Sequence, residues 1–214
     1  NMTNIITSVS QLQSVFLALM ISDSSEVAKK LQLPEQLPIQ RTQLKGAHVH
    51  PAIVMPYLGL GGVIDTTNWS YSYPEAGKLA YIVRLQPNFW TKNNIEDYRK
   101  FAVPPSEIDT NAALKTAVHW LEKLDLDMAR LSRECKPQIR HAKIKDLTIP
   151  QYTVNWQRSG ETVVSVLFLQ PGEQLLQLRI EDSSFLLRPS ITNGLTIRIP
   201  KEEFQPSTIE KREA

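Results

Sequence analysis

Apolar residues recur at helical spacing near the start of the chain. The repeated positions are Leu12, Val15, Phe16, Leu19 and Met20. This spacing predicts an amphipathic helix over roughly residues 8–21. The segment Asp23-Ser24-Ser25-Glu26 is typical of a new helix start, because a short oxygen-bearing side chain can cap free N–H groups. A second helical segment over residues 24–31 would then end before Pro34. The pattern predicts one kinked helix or two short ones.

The pattern changes to strands and turns between residues 37 and 85. Pro51, Pro56 and Gly59-Leu60-Gly61-Gly62 are expected to interrupt this region. In Trp69-Ser70-Tyr71-Ser72-Tyr73, aromatic and small polar residues alternate, as in a half-buried strand. A turn at residues 74–77 leads to a second alternating segment over residues 79–85.

A long apolar stripe follows in the middle of the chain. The residues of the stripe are Leu114, Ala117, Leu121, Leu124, Met128 and Leu131. Their spacing predicts a single helix over roughly residues 111–133, capped by Asp109 or Thr110 and ended before Pro137. At about 1.5 Å per residue, such a helix could cross a sheet of four or five strands.

The remaining sequence predicts an antiparallel meander. Candidate strands cover residues 138–145, 151–157, 162–169, 174–181 and 195–199. The turns between them contain Ser159-Gly160, Pro171-Gly172 and Asn193-Gly194, which are typical hairpin residues. Residues 163–169 are apolar on both faces, which favours a central strand. The charged residues 201–214 are expected to form a loose tail.

Two stretches of the chain resemble each other. Thr67-Asn68-Trp69 precedes a turn and then Val83-Arg84-Leu85-Gln86-Pro87, while Val154-Asn155-Trp156 precedes a turn and then Leu167-Phe168-Leu169-Gln170-Pro171. We interpret this likeness as a tandem duplication, with chance similarity between two hairpins as the alternative.

The sequence therefore predicts an α+β fold with helices packed on antiparallel β-sheet, in two similar modules at residues 1–90 and 111–200. Residues 91–110 would form the linker, because they lack a clear period and carry Pro104-Pro105.

The second half resembles the cystatin-like and PepSY-like α+β modules of uncharacterised bacterial secreted proteins. The resemblance is carried by the helix of residues 112–131 and the following strands at residues 152–156, 163–169 and 175–180. It implies a secreted or envelope protein that binds or inhibits another molecule. The Gln-Val-Val-Ala-Gly type of inhibitory loop is absent from the sequence, so the resemblance does not extend to protease inhibition.

Composition and charge exclude few classes of protein. The hydrophobic fraction of 42% and the charged fraction of 21% are ordinary globular values that permit a sizeable core. The net charge of +2 gives no electrostatic reason to expect nucleic acid or an anionic membrane as partner. The apolar residues 15–21 are too few to insert across a bilayer. The chain begins at Asn1, so a cleaved secretory signal or a shortened chain would both fit, and we expect an extracytoplasmic location.

His48-Val49-His50 is the segment closest to a catalytic pattern. Residues two apart on a strand face the same side, so both imidazoles could bind one zinc ion. A metal-assisted hydrolase using His48 and His50 is therefore the alternative function, and its third ligand would have to be His119, His141 or a carboxylate. The competing interpretation is two solvent-facing histidines on an edge strand.

The single cysteine, Cys135, lies between Arg133 and Lys136, whose charges could lower the pKa of its thiol. A helix C-terminus opposes this effect, because its dipole favours cations. No base for such a nucleophile can be identified in the sequence, and we predict no cofactor.

Aromatic residues cluster in the first half of the chain. Trp69, Tyr71, Tyr73 and Trp90 could form a surface that binds a protein or a carbohydrate. The same alternation would arise if the rings packed against a helix. The sequence thus favours a non-catalytic binding or structural module over an enzyme.

Overall fold

The structure is a computed structural model that describes residues 5–54, 57–74, 77–85, 98–170 and 172–204. Within these ranges, three α-helices pack against an eight-stranded antiparallel sheet, and two short strands form a separate parallel pair. The α+β fold is therefore confirmed.

The helices are α1 (Val9–Leu31), α2 (Thr110–Lys123) and α3 (Met128–Glu134). Ser8 caps α1 by accepting a hydrogen bond from the Gln11 amide, and Asp109 caps α2, as predicted. Helix α1 lies over the first strands of the large sheet, and α2 lies over strands from the second half of the chain. No helix in the described ranges combines the length and apolarity that crossing a membrane requires.

The strands follow chain order in two series. The first series is β2 (Gly46–Val54), β3 (Tyr57–Asp65), β4 (Trp69–Tyr73) and β5 (Tyr81–Arg84), and the second is β6 (Lys136–Ile144), β7 (Leu147–Arg158), β8 (Glu161–Leu169) and β9 (Gln174–Ile180). The order across the sheet is β2-β3-β4-β5-β9-β8-β7-β6. The two series meet at antiparallel β5 and β9, so residues far apart in sequence form one sheet.

The main core lies between the helices and one face of this sheet. One cross-strand row on that face is fully buried, and it consists of Ile64, Tyr71, Ile82, Leu178, Val166 and Val154. The neighbouring row points to the opposite face and is half-buried in the middle and exposed at its ends; it runs His48, Val63, Ser72, Tyr81, Arg179, Ser165, Asn155 and Gln138. Because successive side chains of a strand point to opposite faces, the sheet has one apolar face toward the helices and one face of mixed polarity on the other side.

The N-terminal helical region forms one continuous helix. The predicted helix start at Asp23-Ser24-Ser25-Glu26 is wrong, because these residues lie inside α1. Ser25 Oγ donates to the carbonyl of Ile21 at 2.8 Å and accepts from the amide of Ile39 at 3.0 Å. Ser24 and Asp23 contact Tyr73 of the sheet. Tertiary partners thus account for polar residues that resemble a cap in sequence.

The single long helix predicted over residues 111–133 is also wrong. The chain leaves helical geometry after Lys123, and Asp125 adopts a positive φ of 60°. Asp127 then caps α3 by accepting from the Arg130 amide at 2.9 Å. Leu126 forms an isolated antiparallel bridge to Leu186, so the break is held by a distant segment that periodicity does not detect.

The meander over β6–β9 is confirmed, but the predicted fifth strand at residues 195–199 does not belong to it. Instead, β10 (Thr196–Ile197) pairs in parallel with β1 (Ile5–Ile6). Residues 201–204 of the predicted loose tail form a 3-10 helix, and Glu203 accepts a hydrogen bond from the Val9 amide at 3.3 Å. Residues 205–214 lie outside the described residues.

The two Asn-Trp motifs do not occupy equivalent places in the sheet. Trp69 lies on β4, the third strand from one edge, whereas Trp156 lies on β7, the second strand from the other edge. Each series of four strands does follow a helix. The positions of the Asn-Trp motifs therefore do not support a duplication. The two modules, their boundaries and the linker stay a prediction.

Strand β3 runs through Gly59-Leu60-Gly61-Gly62, where interruption was predicted. A Cβ on Gly61 would lie 2.5 Å from the carbonyl oxygen of Pro74, and one on Gly62 would lie 2.7 Å from the carbonyl oxygen of His48. The glycines therefore permit close approach of backbone to backbone.

We expect Gly61→Ala to lower the free energy of unfolding by about 1–3 kcal/mol, because the new methyl group meets backbone that must shift. Gly46→Ala is the matched control, since its Cβ would meet the end of the Asp65 side chain at 3.1 Å. Urea denaturation of both variants measures the difference. Equal stabilities would contradict this account of β3.

Candidate functional site

The predicted aromatic surface is wrong for three of its four residues. Trp69, Tyr71 and Tyr73 are 1%, 0% and 0% exposed, and all three lie in the main core. Their alternation directs the rings toward the helices, while Ser70 and Ser72 face the other side. Trp90 lies outside the described residues.

The structure brings His48 and His50 together on the sheet face that points away from the helices. Both side chains are exposed, and their ring centroids lie 3.6 Å apart. No group of three His, Cys, Asp or Glu residues that could hold a metal ion occurs among the described residues. His119 and His141 therefore do not complete the site that a hydrolase of this kind requires.

Cys135 is buried, and burial raises the pKa of its thiol above the ordinary value. A raised pKa keeps the sulfur protonated at neutral pH and makes it a weak nucleophile. The cationic neighbours considered from the sequence do not reverse this effect.

A polar network that the sequence did not predict lies between α1 and the segment after β9. The Tyr73 hydroxyl donates to Asp23 Oδ2 at 2.8 Å and lies 2.9 Å from Ser24 Oγ. Arg188 Nη2 donates to Asp23 Oδ1, so the two side chains form an ion pair. The side chains of Arg188 and Asp23 are only 9% and 15% exposed.

Burial dominates the electrostatics of this network. It raises the pKa of Asp23 above the ordinary value, although Arg188 and the Tyr73 hydroxyl oppose the shift. The pKa of Tyr73 is raised well above its ordinary value by burial and by the nearby Asp23 charge. At neutral pH, Tyr73 is therefore a hydrogen-bond donor that positions Asp23.

Arg188 also lines a cleft at the protein surface. The cleft has a volume of about 420 Å³, compared with about 230 and 240 Å³ for two other clefts. Its lining residues are Asp23, Glu26, Lys30, Asp125, Leu187, Arg188, Pro189, Ser190 and Ile191. Arg188 Nη1 is buried and has no hydrogen-bond partner among the described residues. An unpaired buried donor is costly, so a ligand acceptor would stabilise this group.

Backbone hydrogen bonds hold the wall of the cleft in place. The Leu187 amide donates to the Asp125 carbonyl at 3.0 Å, and the Ile191 amide donates to the Gly77 carbonyl at 3.1 Å. Lys30 and Asp125 both line the cleft and form an ion pair with each other. The break between α2 and α3 therefore supplies one side of the site.

Sequence reasoning missed the cleft for an identifiable reason. The sequence pattern predicts Asp23 to be part of a helix cap, and Arg188 belongs to a segment without a clear period. The one available signal was an arginine directly after the apolar run Phe185-Leu186-Leu187.

Comparisons with protein-family models, with curated proteins and with solved structures find no match. The resemblance to cystatin-like and PepSY-like modules therefore stays a prediction.

Proposed function

We propose that this protein is a non-catalytic binding module that holds a small zwitterionic ligand in the Arg188 cleft. The observation that carries the proposal is the unpartnered Nη1 donor of a buried arginine in the wall of that cleft. The volume of about 420 Å³ falls within the range of about 300–1,000 Å³ that small-ligand sites occupy.

The charges of the lining residues favour a ligand that carries both signs. Asp23 is paired with Arg188, and Asp125 is paired with Lys30. Glu26 is 69% exposed and its carboxylate lies 3.9 Å from Arg188 Nη2. A ligand anion can accept from Arg188 Nη1 while a ligand cation approaches Glu26.

The apolar lining residues favour an apolar ligand body. Leu187, Pro189 and Ile191 are among the residues that line the cleft, and Leu187 is 66% exposed, so its hydrocarbon surface is available to a ligand. An apolar α-amino acid has the required carboxylate, ammonium group and hydrocarbon side chain. Arg188 Nη1 is itself buried, so a ligand in the cleft would reach it only after the guanidinium rotates toward the cleft.

Three probes of similar shape test the charge requirement. Leucine carries both charges, 4-methylpentanoate carries only the carboxylate, and 3-methylbutylamine carries only the ammonium group. We expect leucine to bind at least about tenfold more tightly than either analogue, since each charged hydrogen bond contributes about 1.5–3 kcal/mol. Isothermal titration calorimetry gives the three affinities, and equal affinities would refute the zwitterion preference.

Two tryptophan substitutions locate the site. Leu187→Trp fills the cleft without removing the Asp23–Arg188 pair, so leucine affinity should fall at least about tenfold. Leu37→Trp is the control, because Leu37 is also exposed, at 40%, and does not line the cleft. Unchanged binding in Leu187→Trp, or no heat with any probe, would contradict the proposed function.

The metal-assisted hydrolase using His48 and His50 stays an untested prediction. Hydrolytic metal sites generally use three protein ligands, and the described residues contain no such group. The proposed role is consistent with the extracytoplasmic location expected from the sequence, which cell fractionation would test.

A further inference from the structure

A second candidate site lies on the sheet face opposite the helices, apart from the Arg188 cleft. His48 and His50 are adjacent same-face positions on β2, which is one of the two edge strands of the large sheet. Their cross-strand neighbours on β3 are Val63 and Gly61. Gly61 has no side chain, so β3 presents no side chain directly opposite His50.

The two imidazoles have turned toward each other. Their centroids are 3.6 Å apart with the ring planes at 86°, and both side chains are exposed. Because both side chains are exposed, they lie outside the buried core.

We propose that His48 and His50 form a two-imidazole site for a divalent transition-metal ion. Imidazole nitrogen suits Cu²⁺, Ni²⁺ and Zn²⁺, and affinity follows the order in which Cu²⁺ exceeds Ni²⁺ and Zn²⁺. Two ring nitrogens from one strand face can coordinate the same ion at about 2.0–2.1 Å each after small side-chain rotations.

The remaining coordination positions are open to water or to an external ligand. The described residues provide no third His, Cys, Asp or Glu at the pair. The site is therefore a chelating surface group and does not require hydrolytic chemistry. This inference is independent of the zwitterion proposal, because the two sites share no residue.

Titration of the whole chain with Cu²⁺ tests the proposal. We expect the unaltered protein to bind one Cu²⁺ ion that the double variant His48→Gln/His50→Gln does not bind. Each single variant should bind that ion at least about tenfold more weakly. Electron paramagnetic resonance should show nitrogen coupling from the two imidazoles. Zn²⁺ should bind the same site more weakly.

His119→Gln is the matched control, because His119 is an exposed histidine on α2. It should retain the copper equivalent, and all variants should keep the melting temperature of the unaltered protein, since the three side chains are exposed. Retention of the equivalent in the double variant would overturn the proposal. So would a failure of the unaltered protein to bind Cu²⁺.

Discussion

Arg188→Ala should lower the free energy of unfolding by about 3–5 kcal/mol, because it leaves a buried carboxylate without its ionic partner. Asp23 is 15% exposed, and its remaining hydrogen bonds cannot neutralise its charge. Arg133→Ala is the matched control, since Arg133 is 70% exposed and a solvent-exposed ion pair such as that with Glu134 contributes little to stability. Urea denaturation measures both losses.

The double variant Asp23→Asn/Arg188→Met separates the ion pair from general packing. It removes both charges, so it should recover much of the stability lost in Arg188→Ala. A double variant no more stable than Arg188→Ala would show that packing of the arginine stem, rather than the uncompensated charge, causes the loss.

The Asp23 carboxyl also determines how the free energy of unfolding of Arg188→Ala depends on pH. The pKa of Asp23 is already raised in the folded protein, and Arg188 is one of the groups that lower it, so removing Arg188 should raise it further. Because the folded state then binds the proton more tightly than the unfolded state, stability falls as pH rises from about 3.9 toward the raised pKa. The deficit of Arg188→Ala relative to the unaltered protein should therefore be smaller near pH 4 than near pH 7.

The second large effect is expected for Phe168→Ala, with a loss of about 3–5 kcal/mol. Phe168 is fully buried on β8 and connects α2 to the sheet. Its ring lies 5.1 Å from that of Trp120 and 5.6 Å from that of Tyr152, measured between centroids. A cavity at this point removes contacts with both layers.

Leu167→Ala is the control for Phe168→Ala. Leu167 precedes Phe168 but points to the opposite sheet face, where it is half-buried beside a smaller apolar cluster. We expect a loss of about 1 kcal/mol. If the two variants lost equal stability, the assignment of the main core to the helix-covered face would be wrong.

Periodicity predicted the β-structure of the second half well. Strands β6–β9 form the expected antiparallel meander. The turn at Ser159 and Gly160 has positive φ at both residues, as its composition favoured. Local residue order suffices here, because neighbouring strands in a meander are also neighbours in sequence.

The candidate site could not be predicted in the same way. Arg188 and Asp23 are separated by 165 positions, so no window of sequence contains both. The cap-like residues of α1 carried a misleading local signal, because Asp23 and Ser24 contact Tyr73 of the sheet.

The sequence by itself determined the alternation of helix and strand, and with it the α+β class, because apolar period depends on near neighbours. Only the tertiary structure decided that β5 pairs with β9, that the long apolar stripe breaks at Asp125, and that Trp69, Tyr71 and Tyr73 are buried. Those outcomes depend on contacts between distant segments. The Arg188 cleft has the same origin, since it exists only where α1, the α2–α3 break and the segment after β9 meet.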